Sequence, residues 1–241
     1  MKKMSLKLSC MILTIILCSC NKKLIEYKSG DVEVHIEQGS EWLHDYPLFL
    51  GIKKKNPPQI AIWIEDMQGH YLSTIYVTHK IATQSWQMAN GNRRKSALPD
   101  WCYSRGVKYE DGLYLPTKNH PFVDGISGAT PRGSFSVKLS PTGSLRQFVV
   151  KIELNQSTDF NDSYPKSAKP GDANYSGGEG GSGQPAVVYA ADIDLSSGKT
   201  TYDATLIGHS SPDGSSGKIY SDVSGLTTAL HIVKRITISI R

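Results

Sequence analysis

One hydroxyl in this chain is well placed for chemistry. In Asp124-Gly-Ile-Ser-Gly-Ala-Thr130, Thr130 follows Gly128 and Ala129, which leave almost no side chain beside its oxygen. A foreign active site could close over it. Pro131 comes next and biases Thr130 towards an extended backbone, a conformation that a modifying enzyme can grip. The same residues also read as a Gly-rich turn entering a strand near Ser134. Other groupings are weaker. His209-Ser-Ser-Pro-Asp-Gly214 has residue types of an acid–base or metal site, but no second His stands at ligand spacing and no G-x-S-x-G elbow is present. It reads as a polar hairpin loop. Asp192 and Asp194 fall on one strand face and offer paired carboxylates to a cation, a pattern that is also the wet face of a sheet. Gly178-Glu-Gly-Gly-Ser-Gly183 fits G-x-G-x-x-G, yet it follows a polar loop and precedes a strand, whereas dinucleotide sites need strand, glycines, then helix.

The elements that must position these residues are strands. Ile60, Ile62 and Ile64 alternate with Ala61, Trp63 and Glu65, a loop follows at Asp66-Met-Gln-Gly69, and the chain returns through Tyr71, Ser73, Ile75 and Val77. That is a β-hairpin, with Ala61 and Trp63 facing away from the three isoleucines. The same alternation recurs at Phe135, Val137 and Leu139. After a turn at Pro141-Thr-Gly-Ser144 it continues at Phe148, Val150, Ile152 and Leu154. Val187 to Leu195 and Ile236, Ile238 and Ile240 repeat it, with a short helix near residues 226–232. Such strands with Gly, Pro and Ser turns predict an all-β, mainly antiparallel, immunoglobulin-like β-sandwich. Two stretches interrupt it. Residues 89–123 form a long irregular insertion rich in aromatics, including Trp101, Tyr103, Tyr109 and Tyr114, with Trp86 just before it. Those rings could make a wall on which a planar ring or a sugar stacks, or simply cap the sandwich core. Residues 163–184 are rich in Gly, Ser, Pro and charge and read as a mobile loop.

The start of the chain indicates its compartment. Lys2, Lys3 and Lys7 precede an apolar run from Leu8 to Leu17, too short to span a bilayer and right for a signal peptide. It ends in Leu17-Cys-Ser-Cys20, which resembles a bacterial lipobox. The resemblance implies cleavage before Cys20 and lipid on that residue, hence a membrane anchor. The expected organisation is a signal at 1–19, a tether at 20–30 and a single sandwich domain at 31–241. Of four cysteines, only Cys102 lies in the folded part. It can form no internal disulfide and reads as a buried small residue. The chain carries 27 Lys and Arg against 22 Asp and Glu, and three of the basic residues sit in the signal, leaving 24. So balanced a charge gives no support to nucleic-acid binding. Lys53-Lys54-Lys55 and Arg93-Arg94-Lys95 read as short solvated runs.

The 124–130 segment resembles the D-x-x-[ST]-G-A-[ST] signature on which bacterial flavin transferases esterify FMN to a hydroxyl. The resemblance makes Thr130 the acceptor. Asp124 and Ser127 become recognition residues, and Gly128 and Ala129 the residues that give access. In the FMN-binding domains of membrane electron-transfer complexes, Ser or Thr usually stands two places after the acceptor; here Arg132 does. A wider set of phrases is similar to domain of unknown function 2271, a family of periplasmic proteins. It comprises Gln59-Ile-Ala-Ile-Trp-Ile-Glu-Asp66, Ala97-Leu-Pro-Asp-Trp101, Gly112-Leu-Tyr-Leu-Pro-Thr117, residues 124–133 and Leu206-Ile-Gly-His-Ser-Ser-Pro212. Members occur beside or fused to flavin transferases. The expectation is therefore a non-enzymatic lipoprotein of the bacterial cell envelope, on the periplasmic or outer-membrane face. It would carry covalent FMN, with a flavin transferase and a redox protein as partners. The alternative is a binding module that holds a glycan or a protein on its loops and aromatic segment.

Overall fold

The computed structural model describes residues 24–26, 32–86, 93–139 and 145–241. The first strands are β1 (Leu24–Glu26), β2 (Val32–Gln38), β3 (His44–Pro47), β4 (Lys53–Asn56), β5 (Gln59–Glu65) and β6 (Tyr71–Thr78). Two short helices, α1 (His79–Thr83) and α2 (Pro99–Ser104), come next. They are followed by β7 (Ile126–Gly128), β8 (Phe135–Leu139), β9 (Gln147–Asn155) and β10 (Val187–Asp194). The chain ends with β11 (Thr201–Asp203), β12 (Thr205–His209) and β13 (Val233–Ile240). One sheet has the order β1-β8-β2-β13-β11, the other β12-β10-β9-β5-β6-β7, and β3 and β4 form a separate hairpin. β1 runs parallel to β8 and β7 parallel to β6; the remaining pairings are antiparallel.

Alternation drives the sandwich. Val32, Val34 and Ile36 on β2, with Phe135 and Val137 on β8, belong to one buried cluster with Ile60, Ile62 and Ile64 on β5 and Phe148, Val150 and Ile152 on β9. Each such side chain contributes about 1.5–3 kcal/mol by leaving water. The hairpin expected at residues 60–77 is β5–β6, with Ile62 opposite Tyr76. Its turn is held by the Asp66 carboxylate, which accepts the backbone N–H groups of Gln68 and His70, while Gly69 takes φ +83. The sandwich expectation holds at the level of two mainly antiparallel sheets.

Ala61 and Trp63 point to the other face of β5, as alternation requires, and there they meet a second buried cluster. Val77 of β6 joins Leu98, Trp101 and Cys102 of α2 and its approach, with Leu115 and Phe122 from the irregular segment. Trp101 packs edge-on against Phe122 at 5.4 Å. Most of the insertion's aromatics thus cap the outer face of the six-stranded sheet. The segment expected as a mobile loop is tied down at its end: Ser182 N–H donates to Ser176 O at 2.9 Å, Asp159 N–H to Ser182 O at 2.8 Å, and Ser176, Ser182 and Gln184 are buried. The short helix near the C-terminus is a single 3₁₀ turn at Thr228–His231. The turn expected at 141–144 and most of the tether lie outside the described residues. Leu24–Glu26, inside the expected tether, pairs with β8.

Candidate functional site

The 124–130 segment forms the edge of the six-stranded sheet. Ile126, Ser127 and Gly128 pair in parallel with Tyr76, Val77 and Thr78. Gly125 is required by the fold: a Cβ there would lie 2.8 Å from the Thr74 carbonyl and 3.0 Å from the Phe122 ring. Gly128 carries no such requirement. Its nearest neighbour would be Tyr76 Cε2 at 3.8 Å, an ordinary contact, and its φ is not left-handed. Packing therefore does not account for the glycine at position 128.

Two core rings fix the backbone on either side of Thr130. The Tyr76 hydroxyl donates to the carbonyls of Gly128 at 3.4 Å and Ala129 at 3.3 Å, and Trp42 Nε1–H donates to Pro131 O at 3.0 Å. Burial pushes the Tyr76 phenol far up, so it stays a donor across the physiological range. Both rings lean on Phe135, at 5.8 and 6.2 Å. The half-buried Thr130 side chain makes no hydrogen bond among the described residues. Asp124, Ser127 and Ala129 are exposed.

Gly128, Ala129 and Thr130 line a cleft of about 630 Å³, a size suited to a small organic ligand. Tyr46 and Lys54 of the β3–β4 hairpin form one part of its wall, and His79 and Lys80 of α1 another, with Trp86, Arg94 and Arg132 completing the charged and aromatic lining. Gln84 organises the far side. It closes α1 with φ +51, and its Oε1 accepts both Trp86 Nε1–H at 2.9 Å and the Arg94 N–H at 3.3 Å. The Arg94 guanidinium then lies 4.8 Å from the Trp86 ring centre, and Lys80 Nζ 5.7 Å from it. Asp124 and Ser127 are not part of this lining.

Arg94 corrects the sequence reading. Expected in a solvated run, it is only 8% exposed, because the chain turns inward there and gives its guanidinium Ser157 and Ser182 as partners. Arg93 is also engaged, donating to Leu115 O at 2.9 Å and pairing with Asp111. The Lys triplet splits: Lys53 and Lys55 pair with Asp45 at 3.7 and 3.0 Å, while Lys54 lines the cleft. Nothing in the local sequence distinguishes Arg94 from its neighbours.

The other candidates resolve into structure. His209 is buried, its Nδ1 2.8 Å from Ser210 O and its ring stacked on Tyr220 at 5.4 Å. Asp194 accepts from Ser196 and Gln147 at the sheet margin. Among the described residues no group of His, Cys, Asp and Glu could hold a metal ion. The Gly178–Gly180 turn is 3₁₀ and leads into no helix. Tyr103 stacks on Tyr114 at 4.3 Å, so of the expected aromatic wall only Trp86 lines the cleft. Cys102 is buried and its thiol is pushed up by burial, the state of an inert thiol. Cys20 lies outside the described residues. No family model, curated protein or solved structure matches the chain, so the family resemblance rests on the quoted phrases.

Proposed function

We propose that this protein is a lipid-anchored, extracytoplasmic carrier of covalent FMN, loaded on Thr130 by a separate flavin transferase and serving electron transfer to a redox partner. One observation carries the reading. The presented hydroxyl stands in the wall of a cation-lined cleft, beside a glycine whose missing side chain the fold does not need. In the loading step the Thr130 oxygen attacks the flavin-side phosphorus of FAD. A Thr–O–P bond forms, the pyrophosphate bond breaks, AMP leaves, and the hydroxyl proton passes to a base of the transferase. The residues present fit the group: Lys54, Lys80, Arg94 and Arg132 would meet phosphate charge and Trp86 offers an aromatic face. The flavin supplies the redox chemistry, while the chain binds and orients it.

The test is transfer in vitro with a flavin transferase, FAD and a divalent metal, followed by peptide mapping. Label should fall on the Thr130 peptide, vanish in Thr130→Ala and persist in part in Thr130→Ser, which keeps the nucleophilic atom. Asp124→Ala should weaken labelling by removing an exposed charge from the segment that the transferase grips. An unlabelled Thr130 peptide, beside a control acceptor labelled in the same tube, would reduce the segment to an ordinary edge strand.

A further inference from the structure

The cleft beside Thr130 is one-signed. Lys54, Lys80, Arg94 and Arg132 line it, and no Asp or Glu is among its described lining residues. Lys54, Lys80 and Arg94 have no carboxylate partner among the described residues, although Lys53 and Lys55 on either side of Lys54 share Asp45. The cations repel one another: partial desolvation at the cleft rim, then Lys54 and Arg94, hold the ammonium of the otherwise exposed Lys80 below the usual lysine range. A fold that gathers like charges without a counter-charge has left a place for an anion.

Arg94 is the strongest anomaly. Burial depresses its guanidinium to about 10. Its terminal nitrogens donate only to neutral hydroxyls, those of Ser157 and, at 3.2 Å, Ser182. Its Nε is buried with no partner. Hydroxyls do not offset the desolvation of a full charge, and a buried donor left unmade adds to the cost. The ring of Trp86 beneath it softens that cost without supplying negative charge.

We propose that this cleft is a phosphate-binding site, with Arg94 as its central donor and Lys80 and Lys54 as flanking charges. A phosphate suits it better than a carboxylate. Cations reach the cleft from a hairpin, a helix and a buried loop, and a tetrahedral group carrying up to two charges can answer several directions at once. The cavity is far larger than inorganic phosphate, so the group arrives on an organic molecule, whose ring can lie by Trp86. Two sources share this chemistry: a phosphoester tethered at Thr130 in the same wall, or a free organic phosphate. The site does not require Thr130 to be modified and so goes beyond the carrier reading.

The full chain, made without a flavin transferase, is titrated calorimetrically with FMN, inorganic phosphate and riboflavin. FMN and phosphate should bind saturably within the millimolar range, and riboflavin, which lacks the phosphate, should not. Lys80→Gln and Arg94→Gln should each weaken FMN binding about tenfold, the order of one lost charge-assisted hydrogen bond. Should Arg94→Gln fail to fold, Lys80→Gln and Lys54→Gln decide, since both lysines are exposed. Lys234→Gln, at a lysine outside the cleft that pairs with Glu37, should bind as the parent does. Protein loaded at Thr130 then separates the sources: loss of phosphate uptake identifies the tethered ester, and unchanged uptake a free ligand. Absence of phosphate-dependent binding, riboflavin binding as tightly as FMN, or binding indifferent to the cation variants would overturn the proposal. Failure of Thr130 labelling with phosphate binding intact would overturn the carrier reading alone.

Discussion

At the scale of single residues, two glycines three places apart in one segment have opposite reasons to be there. Gly125 lies against the Thr74 carbonyl and the Phe122 ring, so Gly125→Ala should cost about 1–3 kcal/mol as overpacking of a filled site. Gly128 has room for a methyl group, so Gly128→Ala should leave stability within about 1 kcal/mol of the parent. The same Gly128→Ala should nonetheless slow flavin labelling, because the methyl group crowds the hydroxyl two residues on. Urea midpoints alongside labelling rates check this pair. Equal stability losses in both variants would make Gly128 a packing residue. Local sequence was enough to single out Thr130 and its small neighbours, since access to a hydroxyl is a property of adjacent residues. It was not enough for Arg94, whose burial depends on Ser157 and Ser182, far along the chain.

At the scale of elements, α2 rests on a group of ionisable side chains that no motif announces. Glu153 of β9 accepts the N–H groups of Asp100 and Trp101 at 3.2 and 2.9 Å, satisfying the first turn of the helix. Lys151 lies 3.3 Å from Glu65 and 3.6 Å from Asp100. Burial pushes Asp100 up to about 6, with Glu65 adding to the rise and Lys151 opposing it. Glu153 is also raised, by burial and by Asp100. Between about pH 4 and 6 the folded protein keeps a proton on Asp100 that the unfolded chain has lost. This contribution is therefore full below about pH 4 and lost as pH rises through 6. Asp100→Asn should flatten that fall, seen as a smaller change in urea midpoint across the window than in the parent. An unchanged pH profile would assign the effect elsewhere. Alternation made β5, β6, β8, β9, β10 and β13 legible, because every second residue of each enters the core between the sheets. It could not reveal β7 or β11, which have three residues each, or β12, whose apolar Leu206 and Ile207 are adjacent, nor this cluster, which brings together side chains of α2, β5 and β9.

At the scale of the whole molecule, the proposed anchor and the proposed cofactor belong to different ends of one design. A lipidated Cys20 would hold the sandwich at the membrane surface, several acyl chains giving a durable attachment. Cys20→Ser should move the protein from the membrane to the soluble fraction while leaving Thr130 labelling in vitro intact. A substituted protein that still sediments with membranes and shows no change in acylation would remove the lipoprotein reading. The two buried clusters also set how the fold can loosen. β5 is hydrogen-bonded to β9 and β6 and has a packed layer on each face, so freeing its amides would split the centre of the sheet and open both clusters. β7 is three residues long and paired along one side only, so releasing it would break its pairing with β6 and the Tyr76 hydrogen bonds to Gly128 and Ala129 while leaving every other strand pairing in place. The segment that would be handed to another enzyme is thus the part of the sheet that can be lent out and taken back without melting the rest.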